Sequence, residues 1–178
     1  MATKVATVVP KIDLLRKLIT EEGHRLLVAL PWLSALELQL VEPLAPMLSV
    51  TVCANGEPAS LRSLLESGVQ LESGWTPVEP LAVVLDAGFA WQLRDGTVIS
   101  TGLALQEKVL WSRTGEYRLI RGHLEPVKDG LLKIETEGQT VWGRSSADYQ
   151  AGRAVALVWK SYLAGYMPIV EVRHVWPE

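Results

Sequence analysis

The sequence predicts an α/β fold: a mixed sheet with a parallel βαβ start that continues into an antiparallel meander, with helices on both faces. Three observations predict it. From Gly23 to Cys53 the chain reads as a buried strand (RLLVAL), a connection long enough for a helix, and a second buried strand (SVTVC). Two short apolar runs joined by such a crossover are parallel neighbours in one sheet. The elements up to Leu71 follow the order αβαβαβ, which places helices on the faces of a sheet. Beyond Trp75, apolar runs separated by Asp86–Ala87–Gly88 and Arg94–Asp95–Gly96 leave room only for hairpins.

In chain order, Pro10 to Glu22 is expected to be a helix. Pro10 suits the first turn, Ile12, Leu15 and Ile19 share a face, and Gly23 stops it. Arg25 to Leu30 is the first strand. Ser34 stands at an N-cap position, and Leu36, Leu40 and Leu44 recur at helical spacing, although Leu36, Leu38 and Leu40 also alternate as in a strand. Pro43 and Pro46 end that element. Ser49 to Cys53 is the second strand, Ala54 to Pro58 a loop, Ser60 to Ser67 a short helix, and Val69 to Leu71 a third strand. Strands at Leu81–Leu85, Phe89–Leu93 and Thr97–Thr101 form the meander. Further short strands are expected at Lys108–Ser112, Tyr117–Ile120, Leu131–Glu135 and Thr140–Trp142. A long helix from Ala147 to Ala164, capped by Ser145 or Ser146 and striped by Ala151, Ala154, Val155, Val158 and Tyr162, then closes the fold. Ile169 to Val175 is a last strand.

The 178 residues fit one domain, with 10–101 as its core and 102–178 as meander plus closing helix. Hydrophobic residues make up 48% and charged ones 21%, enough burial to offset chain entropy. A net charge of -3 argues against a strongly basic nucleic-acid surface. The single cysteine, Cys53, excludes an intramolecular disulfide and fits a cytoplasmic setting. The N-terminus lacks the long apolar run of a signal peptide, and no stretch approaches the ~18 apolar residues that span a bilayer.

Chemistry-bearing patterns are sparse. His24, His123 and His174 are isolated in sequence, and no Gly-x-Ser-x-Gly elbow surrounds a serine. No paired His or Cys spacing suggests a metal, and no glycine-rich loop suggests a phosphate or dinucleotide cofactor, so neither metal nor cofactor is expected. The seven tryptophans beside a lone Phe89 are the oddity. Most are expected to fill core volume. Trp32 and Trp75 each follow a strand directly, which places them at the carboxyl edge of the sheet where open α/β folds bind ligands. There they can stack on sugars or bases, with Ser34, Asn55, Glu57 and Asp86 as polar partners. A second candidate face comprises Trp111, Arg113, Tyr117, Arg118 and Arg121, where aromatic stacking and cations would meet nucleic acid; Glu116 and Glu125 dilute it.

Residues 10 to 101 resemble one half of a phospholipase D-like protein. More narrowly, they are similar to the diverged form that serves as the effector-binding domain of TrmB-type sugar-responsive transcription regulators. The features that carry the resemblance are VALPWLS, the ESGV step at Glu66 to Val69, and LAVVLDAGFAWQL from Leu81 to Leu93. Active members of that superfamily carry His-x-Lys followed four residues later by Asp. With Asp86 aligned to that aspartate, Glu79 stands in place of the histidine and Leu81 in place of the lysine. The resemblance therefore implies a non-catalytic module that binds a small molecule or a protein partner, as a homodimer. The regulators carry a winged helix ahead of this domain; none precedes Pro10, so direct operator binding is not expected. Two alternatives stand beside this reading: a nucleic-acid-processing accessory protein that binds DNA or RNA through the C-terminal half, and an enzyme built around Asp86, Glu79 and His123.

Overall fold

The computed structural model describes residues 8–9, 25–29, 32–74, 81–84, 89–94, 97–100, 113–163 and 169–178. The expected helix at Pro10–Glu22 and strand at Lys108–Ser112 lie outside them. The chain divides into two compact units, residues 1–113 and 114–178. Among the described residues no helix is long and apolar enough to cross a membrane.

The first unit contains strands β1 (Val8–Val9), β2 (Arg25–Ala29), β3 (Ser49–Cys53), β4 (Gln70–Gly74), β5 (Leu81–Val84), β6 (Phe89–Arg94) and β7 (Thr97–Ser100). They lie in the order β1-β7-β6-β5-β2-β3-β4. β2, β3 and β4 are mutually parallel, with Leu26 opposite Val50 and Val52 opposite Leu71. β5 joins the other side of β2 antiparallel, and β6, β7 and β1 follow antiparallel. The parallel start and the antiparallel continuation are thus both present.

The crossovers are helical for local reasons. α1 (Ala35–Val41) runs into a 3-10 turn at Glu42–Leu44 with Pro43 in its first turn, where a missing N–H costs nothing. Helical spacing therefore prevails over the Leu36/Leu38/Leu40 alternation. α2 (Pro58–Glu66) starts on a proline and buries Leu61 and Leu64. Leu26 to Ala29 are buried without a break, as expected of a parallel strand covered on both faces.

The second unit is all β. It contains β8 (Arg113–Lys128), β9 (Leu131–Thr136), β10 (Gln139–Arg144), β11 (Gly152–Ser161) and β12 (Ile169–Pro177). Their order is β8-β11-β12-β10-β9, and β9 pairs again with β8, so the five strands close into a barrel. Every pairing is antiparallel except β10 with β12. This is the Greek-key connectivity of OB-type barrels. The interior holds Leu124, Leu132, Ile134, Ala156, Val158, Val170 and Val172.

The helix expected over Ala147–Ala164 is absent: Ser145 to Ala151 is a connection and Gly152–Ser161 is strand β11. Ala154 to Val158 are all buried, so the run lacks the alternation of a half-exposed strand and its apolar residues also match a helical stripe. Pairing with β8 on one side and β12 on the other decides for strand. The expected Tyr117–Ile120 strand is one part of the 16-residue β8.

That length is needed because β8 serves two neighbours. His123 and Leu124 pair with β11 on one side and with β9 on the other. At the changeover a Cβ on Gly122 would lie 2.1 Å from the carbonyl oxygen of Glu135. No side chain fits against that backbone. Gly122→Ala is therefore expected to destabilise the barrel by about 1–3 kcal/mol, the range for forced overpacking. Urea unfolding followed by circular dichroism measures it, and an unchanged midpoint would contradict the close approach.

Candidate functional site

At the carboxyl ends of β2 and β3 the structure brings together four of the sequence-predicted ligand residues. Leu33 N–H donates to Asn55 O at 2.7 Å, and Leu33 forms an isolated parallel bridge with Gly56. This ties the residues after the two strands to one another. Trp32 is 51% exposed beside this tie. Ser34 and Glu57 stand at the N-cap positions of α1 and α2, and neither makes a side-chain capping bond. Trp75 and Asp86 lie outside the described residues, as does Glu79. Cys53, at the end of β3, is buried and is not part of a disulfide.

Of the face proposed for nucleic acid, Tyr117, Arg118 and Arg121 have described side chains. Tyr117 is buried. Arg118 is paired with Glu116 at 2.5 Å and Arg121 with Glu178 at 2.9 Å. Trp111 lies outside the described residues, and Arg113 is placed only as the first residue of β8. Arg118 and Arg121 are thus each matched by a carboxylate.

A different site emerges in the barrel unit: a groove of about 540 Å3 lined by Asp129, Arg144, Ser145, Ser146, Glu171, Val172 and Arg173. Three features of the chain build it. First, Asp129 and Gly130 form the two-residue turn between β8 and β9, both at positive φ (52° and 76°), as a hairpin of matching twist requires. The turn lies against the exit of β10. Ser145 N–H donates to Gly130 O at 2.9 Å, and a Cβ on Gly130 would meet Ser145 O at 2.7 Å.

Second, the parallel pairing of β10 with β12 sets Arg144 opposite Glu171. Third, the register of β11 on β12 slips by one residue, from Leu157–His174 to Val158–Val172, leaving Arg173 without a ladder partner. A bulge of this kind re-aims the extra side chain. The Arg173 guanidinium bonds Glu171 at 2.9 Å and stacks over the Trp159 ring, 5.4 Å from its centroid. Ser145 Oγ accepts from Ala147 N–H at 3.1 Å, closing a local turn at the groove wall.

The outer face of β9 and β10 continues from the groove. Trp142, half-buried, lies opposite Lys133 on one side and Ile169 on the other. Lys133 bonds Glu135 at 2.9 Å. That bond and the mutual attraction hold the Lys133 pKa above its ordinary value and the Glu135 pKa below it. Among the described residues no group of three or more His, Cys, Asp or Glu is placed to hold a metal ion.

None of the groove residues was singled out as a ligand contact from sequence. The legible signal was Asp129–Gly130 between two alternating apolar runs, a hairpin marker. Ser145 and Ser146 read as a helix cap, which concealed them.

Two outcomes follow. Gly130→Ala forces an unfavourable φ and a clash with Ser145 O, so it should cost about 1 kcal/mol or more and broaden or shift the NMR amide signal of Ser145; an unperturbed signal would refute the contact. The Lys133–Glu135 pair titrates in opposite directions. Its contribution through Glu135 is present above the unfolded carboxyl pKa and lost as pH falls through the lower folded value. Its contribution through Lys133 is present below the unfolded ammonium pKa and lost as pH rises through the higher folded value. In an NMR titration Lys133→Met should raise the Glu135 midpoint toward the ordinary glutamate range, and no movement would show the pair to be absent in solution.

Compared with protein-family models, with curated proteins and with solved structures, the chain matches none, so the function of these sites is argued from their own geometry.

Proposed function

We propose that this chain is a non-catalytic, cytoplasmic binding module of regulatory type, whose barrel groove takes a small polyhydroxylated ligand. The observation that carries the reading is the composition of the groove: two guanidinium groups, two carboxylates and two hydroxyls around about 540 Å3. Such a set both donates to and accepts from hydroxyl groups in fixed directions, and the volume falls in the usual range for a small-molecule site. Charge selects between ligand classes. Residues 114–178 carry eight Lys and Arg against eight Asp and Glu. A polyanion draws its affinity from unbalanced cations, whereas a small polyhydroxylated molecule needs donors and acceptors together. Glu79 and Leu81 in place of the phospholipase D histidine and lysine support the non-catalytic part of the proposal. The homodimer rests on the same resemblance.

The test is a titration of intrinsic tryptophan fluorescence with glucose. Trp159 sits beneath Arg173 of the groove, so binding should change its emission. Glu171→Gln and Asp129→Asn should each weaken binding about tenfold or more, the loss typical of a hydrogen bond to a charged group. Asn tolerates the positive φ at 129, so that variant keeps the turn. A titration with no spectral response, or with affinity indifferent to both variants, would overturn the reading.

The OB-type connectivity favours a second reading, a single-stranded nucleic acid on the β9–β10 face, with Trp142 stacking between Lys133 and Arg144. Binding of a thymidine oligonucleotide that falls steeply with salt would select it.

A further inference from the structure

The charged groups of the groove are not equivalent. Arg173 is committed twice, to Glu171 at 2.9 Å and to the Trp159 ring. Glu171 faces Arg144 across the parallel pair but is engaged by Arg173. Arg144 is exposed at the end of β10 and makes no ion pair among the described residues, unlike Arg118, Arg121 and Arg173. The two residues that follow it, Ser145 and Ser146, line the same groove. Ser145 Oγ already accepts the Ala147 N–H, which leaves its own O–H to donate.

Three consecutive residues thus offer a planar guanidinium fork and two hydroxyl donors on one wall. That donor set matches the tetrahedral oxygens of a phosphoryl group, for which arginine provides bidentate, charge-assisted bonds. Asp129, which makes no ion pair among the described residues, accepts hydroxyls and disfavours an anion at its own position. The groove therefore offers hydrogen-bond donors at Arg144–Ser146 and, flanking them, hydroxyl acceptors at Asp129 and Glu171.

Resting on the polyhydroxylated-ligand reading above, we propose that the ligand is a phosphorylated sugar. Its phosphoryl group is held by Arg144, Ser145 and Ser146, and its hydroxylated body by Asp129, Glu171 and Arg173. Arg144 is the specificity-determining residue.

The experiment compares glucose, glucose 6-phosphate and inorganic phosphate on the full chain, by tryptophan fluorescence and by 31P NMR of the two phosphate probes. Glucose 6-phosphate should bind at least tenfold more tightly than either glucose or inorganic phosphate. Arg144→Gln should reduce it to the affinity of the same variant for glucose, and Arg144→Lys should restore part of the difference. Because Arg144 is exposed, the thermal unfolding midpoint of both variants should stay at the wild-type value, which separates lost binding from lost folding. Equal affinity for glucose and its phosphate would overturn the phosphoryl assignment alone. Inorganic phosphate binding as tightly as glucose 6-phosphate would overturn the sugar body. No binding by any of the three would remove the polyhydroxylated-ligand reading together with this one.

Discussion

The barrel depends on one backbone contact. Where β8 passes from β11 to β9, Gly122 comes so near Glu135 that even a methyl group is excluded. This lets His123 and Leu124 hydrogen-bond to both neighbours, and the ladder closes with no edge left between β8 and β9. Closure also orients the alternating side chains: Leu124, Leu132 and Ile134 point inward, while Lys133 and Trp142 lie on the outer face. Without the close approach, β9 would not sit where its turn can reach β10.

The groove follows from that closure by short steps. A hairpin turn at Asp129–Gly130 meets the end of β10 through one hydrogen bond to Ser145. A parallel neighbour brings Glu171 beside Arg144, and a one-residue slip in β12 turns Arg173 toward Trp159. None of these steps needs a large interaction energy. Exposed pairs such as Arg173–Glu171 contribute about 0–1 kcal/mol each. Their role is to hold polar groups in position above a barrel interior that apolar burial has already stabilised.

The first unit shows a different way of presenting residues. Parallel strands end together, so β2 and β3 deliver Trp32, Ser34, Asn55 and Glu57 to one edge. The Leu33–Asn55 bond fixes that edge before either helix begins. Ser63 Oγ donates to Glu42 Oε1, linking α2 to the 3-10 turn that follows α1. The groove of about 540 Å3, by contrast, lies in the barrel unit.

Local patterning by itself determined the parallel start. Short apolar runs and a crossover of fitting length leave few alternatives, so the strands at Arg25–Ala29 and Ser49–Cys53 and the grouping of Trp32 with Asn55 were legible. The Asp129–Gly130 hairpin carried a legible marker, because few other dipeptides adopt positive φ twice in succession. Only tertiary structure decided the second unit. Gly152–Ser161 is apolar on both faces, and residues without alternation do not declare a period; its two neighbouring strands, β8 and β12, settle the matter through backbone hydrogen bonds. The same holds for the groove. Asp129, Arg144 and Glu171 are far apart in sequence and meet through pairing register, and Arg173 reaches them through a slip in that register, quantities that no single segment encodes.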